Sequence, residues 1–396
     1  MDLVTDLCQR FGVQTPSPDK LALALTSAFV ALTIPFVFLF HFSSRPRTQN
    51  IPIYRERVLI LGASNESSVG EALALQYARR GCRDLVLVAR NDQGLERVKQ
   101  KCILQAQEGE EWEQSEEAPG EEAKQAMATR FHTFKADCTD PNDVDRLRKY
   151  VAANLKGLDT LHICFGVSAL LPLLGVAGVD PIRPSKAGGE AVSRSVNPDR
   201  VGLEAVAAAV SKASHVNVVG TAICLAAFTP MLQTTSSHPA IALTCSAAAL
   251  VPAPTRSIYA STKAGQLALF RSFAIECLAH ASHPAAAAEG GKGRRKVNFL
   301  AICPGTISSS FRHSAVDLAP STSDGTKGGT DMPEDLAWVK GEKMLSAKDV
   351  ADKTIFKVDR YATGTVTMPA LYEAATWIDK VYPAYVQRMA RKKYAY

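Results

Sequence analysis

Residues 58–89 read VLILGASNESSVGEALALQYARRGCRDLVLVA. The run VLILG is short, apolar and free of charge, which suits a strand buried on both faces. A turn bearing Gly62 and Gly70 follows, then a helical pattern to about Arg80, then a second apolar run, DLVLVA, at 84–89. Strand, glycine turn, helix and strand in that order make a βαβ unit. Reading outward, a helix is expected over 92–106, and strands over FHTFKA (131–136), LHICFG (161–166), IALTCS (241–246), VNFLAIC (297–303) and GTVTMP (364–369). Strands alternating with helices predict an α/β fold, a doubly wound parallel sheet with helices on both faces. One domain over 57–370 accommodates them, with insertions at 108–128, 177–213 and 281–295. The first holds eight glutamates between 108 and 122 and reads as a solvated loop. A Gly- and Ser-rich stretch at 321–331 reads the same way.

The chain has 396 residues, of which 46% are hydrophobic and 21% charged, enough apolar material for a large core. A net charge of +6 is small for this length, and the basic residues are scattered, so no nucleic-acid partner is expected. Nine cysteines without a C-x-x-C pair read as free thiols, and eight histidines without ligand spacing predict no metal. Residues 21–42, LALALTSAFVALTIPFVFLFHF, carry no charge. As a helix they would extend about 33 Å, against a hydrocarbon core of about 30 Å. The leader 1–20 lacks the basic character of a secretory signal, so a retained transmembrane helix is expected. Arg45, Arg47, Arg55 and Arg57, in or bordering a basic linker at 43–56, place the chain beyond the span in the cytosol under the positive-inside rule. The sequon Asn65-Glu66-Ser67 agrees, since a lumenal domain would risk a glycan in that turn. No later segment reads as a span. At 371–396 apolar residues at helical spacing precede Arg388, Arg391, Lys392 and Lys393. This is either a membrane-surface helix or a terminal helix packed on the domain.

Chemistry gathers at the strand ends. Gly62, Ser64, Ser68 and Gly70 form a turn into a helix N-terminus, where a backbone can approach a pyrophosphate, although an ordinary turn has the same composition. Arg90 follows the second strand, where an acidic side chain would hold a ribose diol and an arginine suits a 2′-phosphate. NADP(H) is therefore expected over NAD(H), unless Arg90 is merely a solvated helix-start residue. Tyr259-Ala260-Ser261-Thr262-Lys263 sets a phenol and an ammonium on one helix face, and the ammonium favours the phenolate. Such a tyrosine can give a proton to a carbonyl or take one from an alcohol. Ser246 ends the preceding strand, thirteen residues earlier.

These motifs resemble the short-chain dehydrogenase/reductase family over about 56–315, and more loosely to 370. The resemblance implies a Rossmann-type sheet and gives roles by motif. Ser246 polarises the carbonyl, Tyr259 is the acid/base, Lys263 binds ribose, and Asn217 is the helix-kink asparagine that holds a proton-relay water. Asp137 would contact adenine, and Pro304, Gly305 and Thr306 would flank the nicotinamide. Two departures touch cofactor seating. Ser68 replaces the middle glycine of a turn lengthened by two residues, and Ile163-Cys164-Phe165-Gly166 keeps only the glycine, Gly166, of the usual N-N-A-G. The anchor and tail resemble the hydroxysteroid-dehydrogenase-like and lipid-metabolising branches. The implied function is an NADP(H)-dependent oxidoreductase acting on the ketone or alcohol of a lipophilic small molecule, single-pass in the endoplasmic reticulum membrane. A homodimer is left open, and the alternative is a member that binds nucleotide or lipid without turnover.

Overall fold

The computed structural model describes residues 46–107, 129–182, 196–283, 293–318, 344–394 and 396. The chain divides into two compact units, Met1–Pro46 and Arg47–Tyr396. The expected span at 21–42 and the insertion at 108–128 lie outside the described residues, as do 183–195, 284–292 and the Gly- and Ser-rich 321–331.

Seven strands appear where the sequence places them: β1 (Arg57–Leu61), β2 (Asp84–Ala89), β3 (Phe131–Lys135), β4 (Thr160–Ile163), β5 (Ala240–Thr244), β6 (Asn298–Pro304) and β7 (Gly364–Met368). They form one sheet in the order β3-β2-β1-β4-β5-β6-β7. All neighbouring pairs are parallel. This is the Rossmann-like arrangement, with the order reversing beside β1.

The longer helices among the described residues are α1 (Val69–Arg79), α2 (Asp92–Gln107), α3 (Pro141–Asn154), α4 (Arg200–Thr235), α5 (Ser257–Ser282), α6 (Ala347–Asp359), α7 (Leu371–Val381) and α8 (Pro383–Tyr394). Alternate residues of β1 feed opposite layers, as the strand repeat demands. Val58 and Ile60 pack with Leu73, Leu95 and Val350 from α1, α2 and α6. Leu59 and Leu61 pack with Leu147, Phe228 and Phe270 from α3, α4 and α5.

Three expectations change. Residues 200–213, read as part of an insertion, are the first half of α4. That helix, Arg200–Thr235, is also long and apolar enough to cross a membrane by length and composition, the one such helix among the described residues. Its Cys224, Leu225, Phe228 and Leu232 lie in the core beneath the sheet. Finally, the linker after the expected span belongs partly to the domain. Arg47 is 1% exposed and its guanidinium meets Glu56 at 2.6 Å, while Arg57 meets Asp159 at 2.8 Å. Two arginines counted toward membrane orientation thus hold the fold together.

Candidate active site

The C-terminal ends of the strands open into two adjoining clefts, as expected at the reversal point of a doubly wound sheet. The first, of about 350 Å³, is lined by Gly62, Ser64, Ser68, Arg90, Asp137 and Gly166. At its floor Gly62 has φ +95°, a conformation that favours glycine, and a Cβ there would meet the Phe165 backbone at 2.6 Å. A Cβ at Gly70 would run into the Gly62 carbonyl, so bare backbone brings the start of α1 up against the turn. Ser68 caps that helix, its hydroxyl accepting from Glu71 N–H at 3.1 Å. This cradle of absent side chains at a helix N-terminus fits a dinucleotide phosphate.

Arg90 and Asp137, singled out on separate motifs, face each other at 3.7 Å and stay open to solvent. Glu66, in the lengthened part of the turn, pairs with Arg97 of α2 at 3.2 Å. Arg97 also donates to the Ser64 carbonyl at 2.8 Å, so a residue not singled out in the sequence ties α2 to the turn.

The second cleft, of about 140 Å³, brings together Ser246, Tyr259, Lys263, Pro304, Gly305 and Thr306. Ser246 stands two residues past the end of β5 and caps a short 3₁₀ turn, Ala247–Ala249, its hydroxyl accepting from Ala248 N–H at 3.1 Å. Tyr259 and Lys263 are buried one turn apart at the start of α5. The Lys263 ammonium lies 6.0 Å from the Tyr259 ring centre. It donates to Gln266 Oε1 at 2.9 Å and, more loosely, to the Thr244 carbonyl at 3.4 Å. No carboxylate holds it among these partners, so its charge stays directed at the cleft.

Asn217 is fully buried in a five-residue π-helical turn of α4, His215–Val219. Its amide brackets the chain after β4, accepting from Val167 N–H at 2.9 Å and donating to the Val167 carbonyl at 3.1 Å. It also donates to Thr262 Oγ1 at 2.9 Å. Thr221 Oγ1 donates to the Asn217 carbonyl at 2.8 Å and accepts from Gln266, which in turn holds Lys263. One continuous chain of hydrogen bonds therefore joins Asn217 to the lysine.

Sequence reading missed four contributors. Phe311 lies edge-on to Tyr259 at 5.9 Å between ring centres and lines both clefts. The Arg256 guanidinium lies over the Tyr259 ring at 4.3 Å. Tyr372 and Lys393 reach the second cleft from α7 and α8, the ammonium donating to the phenol at 2.6 Å. Arg256 left no signal, because arginine is not a favoured residue at a helix start. Tyr372 and Lys393 fall in a tail whose docking site only tertiary structure reveals. Part of the tail nonetheless faces away from the domain: Trp377 is 63% and Val381 85% exposed. Among the described residues no His, Cys, Asp and Glu cluster could hold a metal.

A family model described as short chain dehydrogenase matches residues 195–317, the stretch carrying Asn217, Ser246, Tyr259, Lys263 and the Pro304-Gly305-Thr306 turn. No curated protein matches the chain in sequence. Among solved structures the chain is similar to a short chain dehydrogenase/reductase from Burkholderia phymatum in complex with NAD, at 16% identity over 84% of this chain and 95% of that one, TM-score 0.55. It is similar to a short chain dehydrogenase from Burkholderia cenocepacia in complex with NADP, at 15% identity over 85% and 98%, TM-score 0.51. It is also similar to an alcohol dehydrogenase from the archaeon Thermococcus sibiricus complexed with 5-hydroxy-NADP, at 18% over 80% and 98%, TM-score 0.50. At these identities the likeness is one of fold. The sequence match to the short chain dehydrogenase model thus covers residues 195–317, and the rest of the domain shares the fold of solved short-chain dehydrogenases.

Proposed function

We propose that the protein is an NADP(H)-dependent oxidoreductase that reduces a ketone, or oxidises the secondary alcohol, of a lipophilic substrate at a membrane. The observation that carries this reading is the gathering of Ser246, Tyr259 and Lys263 in one cleft that adjoins the glycine-floored one. Gly62, Gly70 and Ser68 would hold the pyrophosphate of the cofactor, Arg90 its 2′-phosphate, and Lys263 its ribose. When bound, the cofactor supplies hydride at its nicotinamide.

The chain's own residues handle the proton. In reduction the Tyr259 O–H bond breaks as the new alcohol O–H bond forms, and the oxidation runs the same transfer backwards. Ser246 donates to the carbonyl oxygen while charge builds there, and the Lys263 ammonium stabilises the phenolate left behind. The lining contributed by Ala247, Val251, Ile307 and Phe311 favours an apolar substrate body. The uncharged run 21–42 supports a single-pass anchor, Arg45 and Arg55 beside it support a cytosolic domain, and the exposed apolar residues of α7 support a second contact with the lipid surface. A member that binds nucleotide or lipid without turnover is the second reading, favoured by Ile163 and Cys164 in place of the usual polar pair and by the lengthened turn. Mixing the detergent-solubilised full chain with NADPH and a panel of keto-lipids and keto-steroids separates the two. Substrate-dependent loss of NADPH absorbance supports the reductase. Cofactor binding with no turnover across the panel supports the second reading.

A further inference from the structure

Arg256 is the residue in the site whose geometry the proton transfer from Tyr259 leaves unused. Its guanidinium sits on the face of the Tyr259 ring, 4.3 Å from the centre. Two bonds hold it there: Nη2 donates to the hydroxyl of fully buried Ser168 at 2.7 Å, and Nε to the Ala169 carbonyl at 3.4 Å. The nearby Asp317 carboxylate is occupied by the backbone N–H groups of Leu170 and Leu171, at 2.8 and 2.7 Å. Burial pushes its carboxyl above the usual range, while those bonds and the Arg256 charge oppose the rise. Arg256 is thus anchored by neutral oxygens and directs its charge at the ring.

We infer that Arg256 is a positioning residue for Tyr259, holding the ring in place and, by its fixed positive charge, favouring the phenolate that proton transfer creates. A guanidinium over an aromatic face is attractive while the phenol is neutral and more strongly so once the ring carries charge. Lys263 approaches the same ring only to 6.0 Å, so the arginine is the nearer cation. Besides Lys263, the other titratable groups in the cleft are Cys164, Cys245, Arg312, Tyr372, Lys393 and Tyr394, and Asp317 interacts electrostatically with Arg256. None of them is a carboxylate facing the phenol. The role rests on Tyr259 being the acid/base, but the pairing can be tested without turnover.

The test records phenolate ultraviolet absorbance against pH in the full chain in detergent. Subtracting Tyr259→Phe from wild type isolates this one phenol among ten tyrosines. Subtracting the Arg256→Gln/Tyr259→Phe double variant from Arg256→Gln isolates it without the charge. Removing a cation from the ring face disfavours the phenolate, so Arg256→Gln is expected to raise the midpoint. Arg256→Lys, which keeps the charge, should stay nearer to wild type. Ser168→Ala, which loosens the anchor and leaves the guanidinium, should give a smaller rise, and it serves as the readout if Arg256→Gln fails to fold. An unmoved midpoint in the folded variants, or a rise in Arg256→Lys as large as in Arg256→Gln, overturns the inference. A raised midpoint in a protein that turns over no substrate would uphold the pairing and count against the reductase reading alone.

Discussion

The two ends of the sheet use charge in opposite ways. Toward the N-terminal ends of the strands, cations meet anions inside the fold: Arg47 with Glu56, Arg57 with Asp159, and Arg80 with Asp359 at 2.7 Å. At the C-terminal ends the pairs Arg90–Asp137 and Arg97–Glu66 stay at the solvent, and in the second cleft Lys263 and Arg256 are held by amide, hydroxyl and carbonyl oxygens instead. Neutral acceptors fix a cation in place without cancelling it. One end therefore uses charge as a clamp, and the other keeps positive potential turned toward a cleft where negative charge would arrive or develop.

That contrast can be broken by mutation. The largest effect belongs to the open end: Tyr259→Phe should cut turnover by roughly 10²–10⁴-fold while cofactor affinity and unfolding midpoint hold. Steady-state rates with a cofactor titration check it, and a comparable loss of cofactor binding would mean that the phenol holds the fold or the nucleotide. At the closed end, Arg47→Met leaves Glu56 buried without its partner and should cost about 3–5 kcal/mol in urea unfolding, with cofactor affinity of the folded fraction unchanged. A smaller third effect concerns His162, which shares a hydrogen bond with Tyr77 at 2.9 Å. Burial, helped by the charges of Arg47 and Arg80, pushes its ring down to about 3. The unfolded chain takes up this proton below about pH 6.5 and the folded one does not, so stability falls as pH drops from 6.5 toward 3. By pH 5 the loss relative to pH 7 should be about 2 kcal/mol, and His162→Gln should remove that slope from the unfolding curves. Smallest is Arg90→Ala. The side chain is 69% exposed, so the preference for NADPH over NADH should fall by only about tenfold, the low end for a charged hydrogen bond. Equal effects on both cofactors would make Arg90 a solvated helix-start residue.

How much of the molecule is legible in its sequence depends on which interactions are local. The strands were legible because each is a short apolar run bounded by turns, and all seven appear in register. Tyr259 and Lys263 were legible because a spacing of four needs only a helix to bring them together. The buried Arg47 was misread as linker because its partners stand 9 to 191 residues away, at Glu56, Asp159, Thr160 and His238. No local pattern distinguishes it from an arginine in solvent. Arg256 was hidden for the same reason, since Ser168 lies 88 residues upstream.

The π-helical turn at His215–Val219 also resets the phase of a helix. Buried positions in α4 include Ala209, Ala213, Asn217, Thr221, Leu225 and Thr229, each four residues after the last. In unbroken α-geometry a step of four overshoots one turn by about 40°, so five steps would carry the buried stripe about 200° around the axis. The wide turn absorbs one residue, about 100°, and brings the stripe back within an arc that one side of a helix can bury. Deleting Val216 would regularise the hydrogen bonds and keep residues 200–214 in phase with the half beneath the sheet, whereas regular α-geometry with Val216 retained would swing them round by about that same 100°. The irregular turn is thus what lets one helix both cover the core with Phe228 and Leu232 and place Asn217 against Val167.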